Sequence, residues 1–213
     1  GNGLCRVHLS GTGDWTLAAP LLADLLLLTA AEHHGTAADL EECLTAAEAL
    51  PLPGMADWLA VYRRQGCPPV HHSPAYREAY DPHYRVLRTA YGGYFPALLA
   101  AARLARSGRP AVVAIDGRCG SGKSGLGDLM GRLLPCNVVH MDDYYLPPDR
   151  RAENWEQIPA GNMDLARFLQ EVLVPAGAGA QIRCRPYDCR SGTLREGTTL
   201  PARPLTVVEG SYS

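Results

Sequence analysis

The sequence predicts an α/β fold: a parallel sheet with flanking helices around a phosphate-binding loop, preceded by a mainly α-helical segment. Three observations predict it. Residues 111–124 read AVVAIDGRCGSGKS, an apolar run followed by three spaced glycines and a Lys-Ser pair. That is G-x-x-x-x-G-K-[ST] in the strand–loop–helix setting the motif requires. Two later apolar runs, 137–141 and 205–208, each lead directly into acidic residues, with helical patterning between them. Strands alternating with helices argue for a parallel sheet. Before Gly108, in contrast, apolar residues recur mostly at helical spacing.

Each residue type in the loop has a physical reason. Gly117, Gly120 and Gly122 let the backbone curl so that its N–H groups converge on an anion, and the following helix presents its positive dipole end there. Lys123 would reach the β- and γ-phosphates, the Ser124 hydroxyl would hold Mg²⁺, and Ser121 and Gly125 complete the nucleotide-contacting stretch. Lys123 is the only lysine in the chain; every other long cationic side chain is arginine. A compact point charge stands where a planar fork would fit poorly. A glycine-rich turn after a strand is the plain alternative.

In chain order, Leu4, Val7 and Leu9 give a short-strand pattern, and residues 11–14 read as a turn. Residues 16–33 form a helix apolar on most of its surface, and therefore buried. Thr36 or Asp39 caps a second helix over 37–50, stopped by Pro51 and Pro53. Residues 54–65 form a third, with Met55, Trp58, Leu59 and Tyr62 at helical spacing. A Pro- and His-rich loop follows. Residues 76–94 read as helix broken at Pro82 and Gly92-Gly93, and 96–107 as a strong helix. Beyond the second strand, 146–161 is a polar loop, 164–174 a helix, 175–180 its exit turn and 181–187 extended. The domains expected are 1–108, helical and of unassigned role, and 109–213, which carries the loop.

At 213 residues the length allows one or two domains of roughly 150 residues. A hydrophobic content of 46% with 20% charged residues describes a globular protein. The net charge of -2 leaves no basic footprint, which disfavours a nucleic-acid partner. The seven cysteines lack C-x-x-C spacing and are odd in number, so reduced thiols in a cytoplasmic protein are expected rather than a disulfide framework or a zinc site. The apolar run 21–31 is too short to span a bilayer and has no basic leader, so no membrane association is expected. His71-His72 and Tyr76, Tyr80, Tyr84 and Tyr91 read as a ligand surface or, more simply, as a packing face.

Three carboxylate positions fall where open α/β sheets place ligands, at strand ends or helix starts: Asp142 or Asp143, Asp164, and Glu209. Phosphoryl transfer to an alcohol needs a cradle for the triphosphate, a metal bridging its oxygens, and a base on the acceptor hydroxyl. A carboxylate just past the second strand can be that base. Glu209, after a later strand, can hold Mg²⁺. Asp164 also reads as a simple helix cap.

The ordered set IDGRCGSGKS, HMDDYYLP, GNMDLARF, RPYDC and VVEGSYS resembles the uridine kinase and phosphoribulokinase group of P-loop kinases, bacterial uridine kinase-like proteins in particular, over residues 110–213. The resemblance implies a P-loop NTPase sheet, ATP as donor and Mg²⁺ as cofactor. Asp142 would be the base on a nucleoside 5′-hydroxyl, acting with Lys123 as the catalytic pair. Tyr145 would lie near the nucleobase, Asp164 at the ribose hydroxyls and Tyr187 along the nucleoside pocket. Glu209 would sit near Mg²⁺ with Ser124, and Asp143 would assist the metal. Residues 189–193, Cys-Arg-Ser-Gly-Thr, lack the histidine usual in this group, and Gly125 stands where Thr or Ser is common. The resemblance also implies an arginine-bearing lid and further strands, so the sheet is expected to be cut short after its third strand, with Arg150, Arg151 or Arg190 as the remaining lid-like cations.

The function expected is ATP-dependent phosphoryl transfer to a small-molecule acceptor, a pyrimidine nucleoside first. The alternatives are a kinase of another small alcohol or sugar phosphate, and an inactive nucleotide-binding regulatory module. Homo-oligomerisation is an option the sequence leaves open.

Overall fold

Strand β9 (Leu205–Glu209) is buried at every position, and the phosphate-loop sheet is built around it. β3 (Ala111–Ile115) and β4 (Cys136–His140) pair with it in parallel on either side, with Ala111 and Cys136 both opposite Leu205, and Ile115 and His140 both opposite Glu209. All three strands therefore end in one row. This order, β3-β9-β4, is the parallel sheet the sequence predicts. The computed structural model describes residues 3–9, 13–32 and 34–211. The chain forms two compact units, residues 1–13 with 23–92, and residues 14–22 with 93–213. The expected boundary at 108/109 falls inside the second.

Because side chains alternate across a strand, β9 addresses both faces of the sheet. Leu205, Val207 and Glu209 point to one side, Thr206 and Val208 to the other. Helix α6 (Lys123–Leu133) covers the first side, packing on β4 and β9. It can approach closely because Gly127 and Gly131 lie one turn apart on its inner face. A Cβ on Gly127 would stand 3.3 Å from Glu209 Cγ, and one on Gly131 would stand 2.9 Å from Val138 Cγ2. Glycine costs about 1 kcal/mol in a helix interior; here the cost is offset by contact with the sheet.

On the other side, Val139 and Val208 enter a core with Met141, Tyr144, Met163, Phe168, Val172, Ala176 and Ile182. The helix facing it is not one regular α-helix over 164–174 as the sequence suggests. α7 (Leu165–Phe168) passes into a π-helical stretch, Leu169–Leu173, and then into α8 (Val174–Gly177). Pro175 therefore does not end the helix. It sits in the first turn of α8, just after the backbone has widened, where its missing N–H is tolerated. The extended segment after it is two short strands, β5 (Ile182–Cys184) and β6 (Tyr187–Asp188). They pair antiparallel with β8 (Thr198–Leu200) and β7 (Thr193–Leu194), neither of which the hydrophobic pattern marks.

In the other unit, α2 (Ala37–Glu48) and α3 (Met55–Arg64) agree with the sequence to within two residues at each end. Thr36 and Asp39 cap α2 together: the Thr36 hydroxyl accepts from the Asp39 N–H at 3.2 Å, and the Asp39 carboxylate accepts from the Thr36 N–H at 2.7 Å. The reading of 76–94 as broken helix is corrected. α4 (Pro74–Tyr80) is followed by strand β2 (Tyr84–Arg88), antiparallel to β1 (Leu4–His8), and α5 (Thr89–Ala105) begins before both glycines and includes Pro96. The strand wins because Leu87 is fully buried and Arg88 N–H donates to the Thr29 hydroxyl at 3.2 Å. Arg88 and Tyr91 both bind the Glu32 carboxylate.

α1 (Trp15–Glu32) is longer than the apolar run within it. Among the described residues it is the one helix long and apolar enough to cross a membrane, by length and composition alone. Its Leu17, Ala18, Leu21, Leu22, Leu25 and Thr29 are buried in the protein. Ser10, residues 11 and 12 of the expected turn, and His33 lie outside the described residues. His72 stacks on Tyr76 at 4.7 Å, Tyr76 lies 4.7 Å from Tyr80, and the Tyr84 hydroxyl is 3.2 Å from His72 Nε2. The aromatics thus pack on one another.

All seven cysteines are free; Cys136 and Cys184 are buried, and burial pushes both thiols up. Cys43, Cys119 and Cys189 are exposed. Thiol modification of the native protein, followed by mass spectrometry, is expected to label these three first and to reach Cys136 and Cys184 only on unfolding. Leu205→Ala, at a fully buried position of the central strand, is expected to cost about 2–5 kcal/mol in urea denaturation.

Candidate functional site

The chain leaves β3 through Asp116, whose carboxylate accepts from the Gly117 N–H at 2.8 Å. The loop then turns through left-handed positions at Gly120 (φ +76°) and Gly122 (φ +89°) into α6. Gly122 lies against Tyr94: a Cβ there would stand 2.6 Å from the Tyr94 hydroxyl, which donates to the Gly122 carbonyl at 3.3 Å. A Cβ on Gly117 would stand 3.0 Å from Ser121 Oγ. Lys123 Nζ crosses the loop and donates to the carbonyls of Gly117 at 2.7 Å and Arg118 at 3.1 Å. The loop joins β3 to α6 in the strand–loop–helix order the motif requires, with Lys123 folded back on the loop's own carbonyls. Gly125 lies in the first turn of α6.

Ser124, also in that turn, donates to Glu209 Oε2 at 3.0 Å. Glu209 is 5% exposed and closes the central strand. Its other oxygen, Oε1, lies 2.6 Å from His140 Nδ1. The sequence reading brought Ser124 and Glu209 together and missed His140. Alternation along β4 could have found it, since Cys136, Val138 and His140 share the face that meets α6 and Glu209. A hydroxyl and a carboxylate oxygen at this spacing are the hard oxygen donors that Mg²⁺ prefers, with water completing its shell. The donor set fits that ion.

Asp142 and Asp143 lie in a 3₁₀ turn, Met141–Tyr144, directly beyond β4. Asp142 is exposed, and Tyr145 donates its hydroxyl proton to Asp142 Oδ1 at 3.4 Å. Burial, then the Asp142 charge, pushes the Tyr145 phenol up. Asp143 is half-buried, and burial raises its carboxyl against the opposing pull of His140 and Arg195.

Asp164 is 8% exposed and caps α7, accepting from the Arg167 N–H at 3.1 Å. It also pairs with Arg167 Nε at 3.4 Å and lies 3.9 Å from Arg150. Here the simple cap reading is met, and the arginines hold the carboxylate that the resemblance assigns to ribose. Arg151 donates to the Leu146 carbonyl and covers the Trp155 ring. Tyr187 is buried in the short β6–β7 pair. Next to it in β6, the Asp188 carboxyl is held down, first by the Arg190 N–H and then by Arg195.

Sequence reasoning missed Arg167. Its guanidinium donates to the Arg185 carbonyl at 2.6 Å and the Asp143 carbonyl at 3.2 Å, pairs with Asp164 and Glu171, and lies 4.3 Å over the Tyr144 ring. Tyr144 is fully buried, and burial drives its phenol far above the usual range. The only sequence signal for Arg167 is its i+3 spacing from Asp164 and i−4 spacing from Glu171.

No protein-family model and no curated protein matches this chain. Among solved structures, it is similar to a protein named as a possible uridine kinase from Bacillus stearothermophilus, at 21% identity and a TM-score of 0.43 over 50% of this chain and 63% of that one. It is also similar to a candidate fructose transport system kinase from Silicibacter sp. TM1040, at 24% identity and a TM-score of 0.39 over 50% of this chain and 56% of that one. The chain thus spans less than two thirds of the length of either protein.

Arg167→Met is expected to cost roughly 1–3 kcal/mol by denaturant titration, because it strips a donor from the Asp143 and Arg185 carbonyls and leaves Asp164 only Arg150 and Glu171 only Arg185. Arg167→Lys is expected to recover only part of this, since an ammonium cannot reach both carbonyls and both carboxylates at once.

Proposed function

We propose that this chain binds ATP in the loop 117–125 and transfers its γ-phosphoryl group to a hydroxyl of a small acceptor, with a pyrimidine nucleoside as the acceptor class. One observation carries the reading: a formed phosphate loop, the Ser124–Glu209 pair and Asp142 all lie at the C-terminal ends of three adjacent parallel strands. Open α/β sheets bind ligands at that end.

In this reading the loop N–H groups and the N-terminus of α6 bind the phosphates. Lys123 exchanges the Gly117 and Arg118 carbonyls for phosphate oxygens, which releases the loop mouth as the nucleotide enters. Ser124 and Glu209 hold the magnesium ion, which when bound neutralises charge on the phosphates. Asp142 takes the proton of the acceptor hydroxyl, and the Tyr145 hydroxyl on Oδ1 orients that carboxylate. Asp143, half-buried and next to Asp142, assists at the metal. Tyr145 and Tyr187 flank the acceptor, and Asp164 binds its sugar hydroxyls where the arginines position it. Positive charge for the transferring phosphoryl would come from Arg150, Arg151 or Arg190, of which Arg150 lies 3.9 Å from Asp164.

The test is ADP release from Mg²⁺-ATP with uridine, cytidine and a panel of small alcohols and sugar phosphates. Turnover with a nucleoside is expected. Asp142→Asn should lower it by about 10²–10⁴-fold with ATP affinity retained. Lys123→Ala should abolish ATP binding in calorimetry. Turnover with a non-nucleoside alcohol alone would keep the chemistry and replace the acceptor. ATP binding without turnover on any acceptor would make the chain a nucleotide-dependent regulatory module.

A further inference from the structure

Glu209 is a carboxylate on the central strand, at the level where the sheet meets the loop, with its two oxygens in different hands. Oε2 accepts from Ser124 at 3.0 Å and Oε1 lies 2.6 Å from His140 Nδ1. We infer that His140 is a positioning residue for the metal-binding carboxylate: it fixes Glu209 Oε1 so that Oε2 stays directed at Ser124. This rests on the proposed function above, in which Ser124 and Glu209 hold the ion.

The chemistry sets the direction of the bond. The 2.6 Å contact joins a carboxylate oxygen to a ring nitrogen that donates in its Nδ1–H tautomer, the tautomer in which His140 and Ser124 both donate to Glu209. The backbone sets the geometry. His140 and Glu209 are register partners on adjacent parallel strands and point to the same face. The glutamate is nearly enclosed, 6% exposed at its side chain, whereas the His140 ring is 43% exposed. The ring therefore acts as a bracket at the rim, reaching inward with Nδ1. Gly127 supplies the matching wall: a Cβ there would meet Glu209 Cγ at 3.3 Å and Cβ at 3.7 Å, so the carboxylate stem lies flat against α6. With the stem walled and Oε1 bracketed, rotation about the last side-chain bond is the freedom left, and the His140 bond removes it. Partners of this kind commonly set metal affinity as strongly as the ligands themselves.

The experiment measures Mn²⁺ affinity, by paramagnetic relaxation or EPR, of the ATP complex of the intact chain. It is paired with nucleotide affinity in EDTA and with a long-range ¹⁵N spectrum of the histidine rings of the nucleotide-free protein. His140→Phe should weaken Mn²⁺ binding by about 10–100-fold while affinity for metal-free ATP and the thermal midpoint stay near wild type. His140→Asn, whose amide N–H can stand in for Nδ1–H, should recover most of the loss. The spectrum should show His140 as the Nδ1–H tautomer, changed in Glu209→Gln. Wild-type Mn²⁺ affinity in His140→Phe, no recovery in His140→Asn, or an Nε2–H tautomer would overturn the inference while leaving nucleotide binding and the proposed reaction standing. Absence of nucleotide-dependent Mn²⁺ binding in the wild type would instead overturn the proposed function, and the inference with it.

Discussion

A buried carboxylate at the end of a central strand governs the sheet end of this protein. Glu209 has given up nearly all its water, and a group so placed is tolerated only with its oxygens occupied. Ser124 and His140 occupy them. Each must arrive from a different direction: Ser124 from the first turn of α6, His140 from the neighbouring strand. The helix can deliver Ser124 only by lying close on the sheet, which Gly127 and Gly131 permit. The strand can deliver His140 only in the observed register, since a slip of one residue would turn it to the opposite face. Sheet register, helix docking and the end of the glycine loop are in this way tied together by satisfying one side chain.

The phosphate side of the sheet was legible because its constraints are local. Glycines at 117, 120 and 122, a lysine and a serine at fixed spacing specify a backbone path with little help from elsewhere. The three strands were legible for a related reason: strands of a parallel sheet read as near-continuous apolar runs, although β9 alone of the three is buried at every position. β2 was not legible. Its sequence, Tyr-Arg-Val-Leu-Arg, sits between a helix and two glycines that resemble a helix break, and only Leu87 is buried. Its strand state is decided by pairing with β1, some 80 residues earlier, which no local window contains. The two-residue strands β6 and β7 are too short to show a period at all. Proline misled twice in the same sense. Pro96 and Pro175 both lie inside helical segments, the first after α5 is established, the second after a π-helical widening.

Among the site residues, those assigned from spacing fall at the sheet end, while those that hold them in place came only from the three-dimensional contacts. Arg167 illustrates why. Its partners are two backbone carbonyls and two carboxylates, and carbonyls carry no sequence signature. His140 is similar: a histidine at a strand end has many ordinary explanations, and only its register opposite Glu209 separates them.

The two sides of the site are therefore built on different principles. On the phosphate side, hydrogen bonds run between side chains and the rigid frame of β9, α6 and the glycine loop, so the positions of Lys123, Ser124 and Glu209 follow from the sheet. The segments proposed to face the acceptor have no such frame. Asp142 and Asp143 ride on a single 3₁₀ turn, Asp164 begins a helix of one turn before the π stretch, and Tyr187 sits in a two-residue strand. These pieces are tied to one another by Arg167, which touches the turn at the Asp143 carbonyl, the helix start at Asp164 and the approach to Tyr187 at the Arg185 carbonyl. An arginine is suited to this because its planar fork donates in several fixed directions at once. In the proposed reading this is a division of labour: the sheet end would hold phosphate and metal, and Arg167 would tie together the segments proposed to face the acceptor.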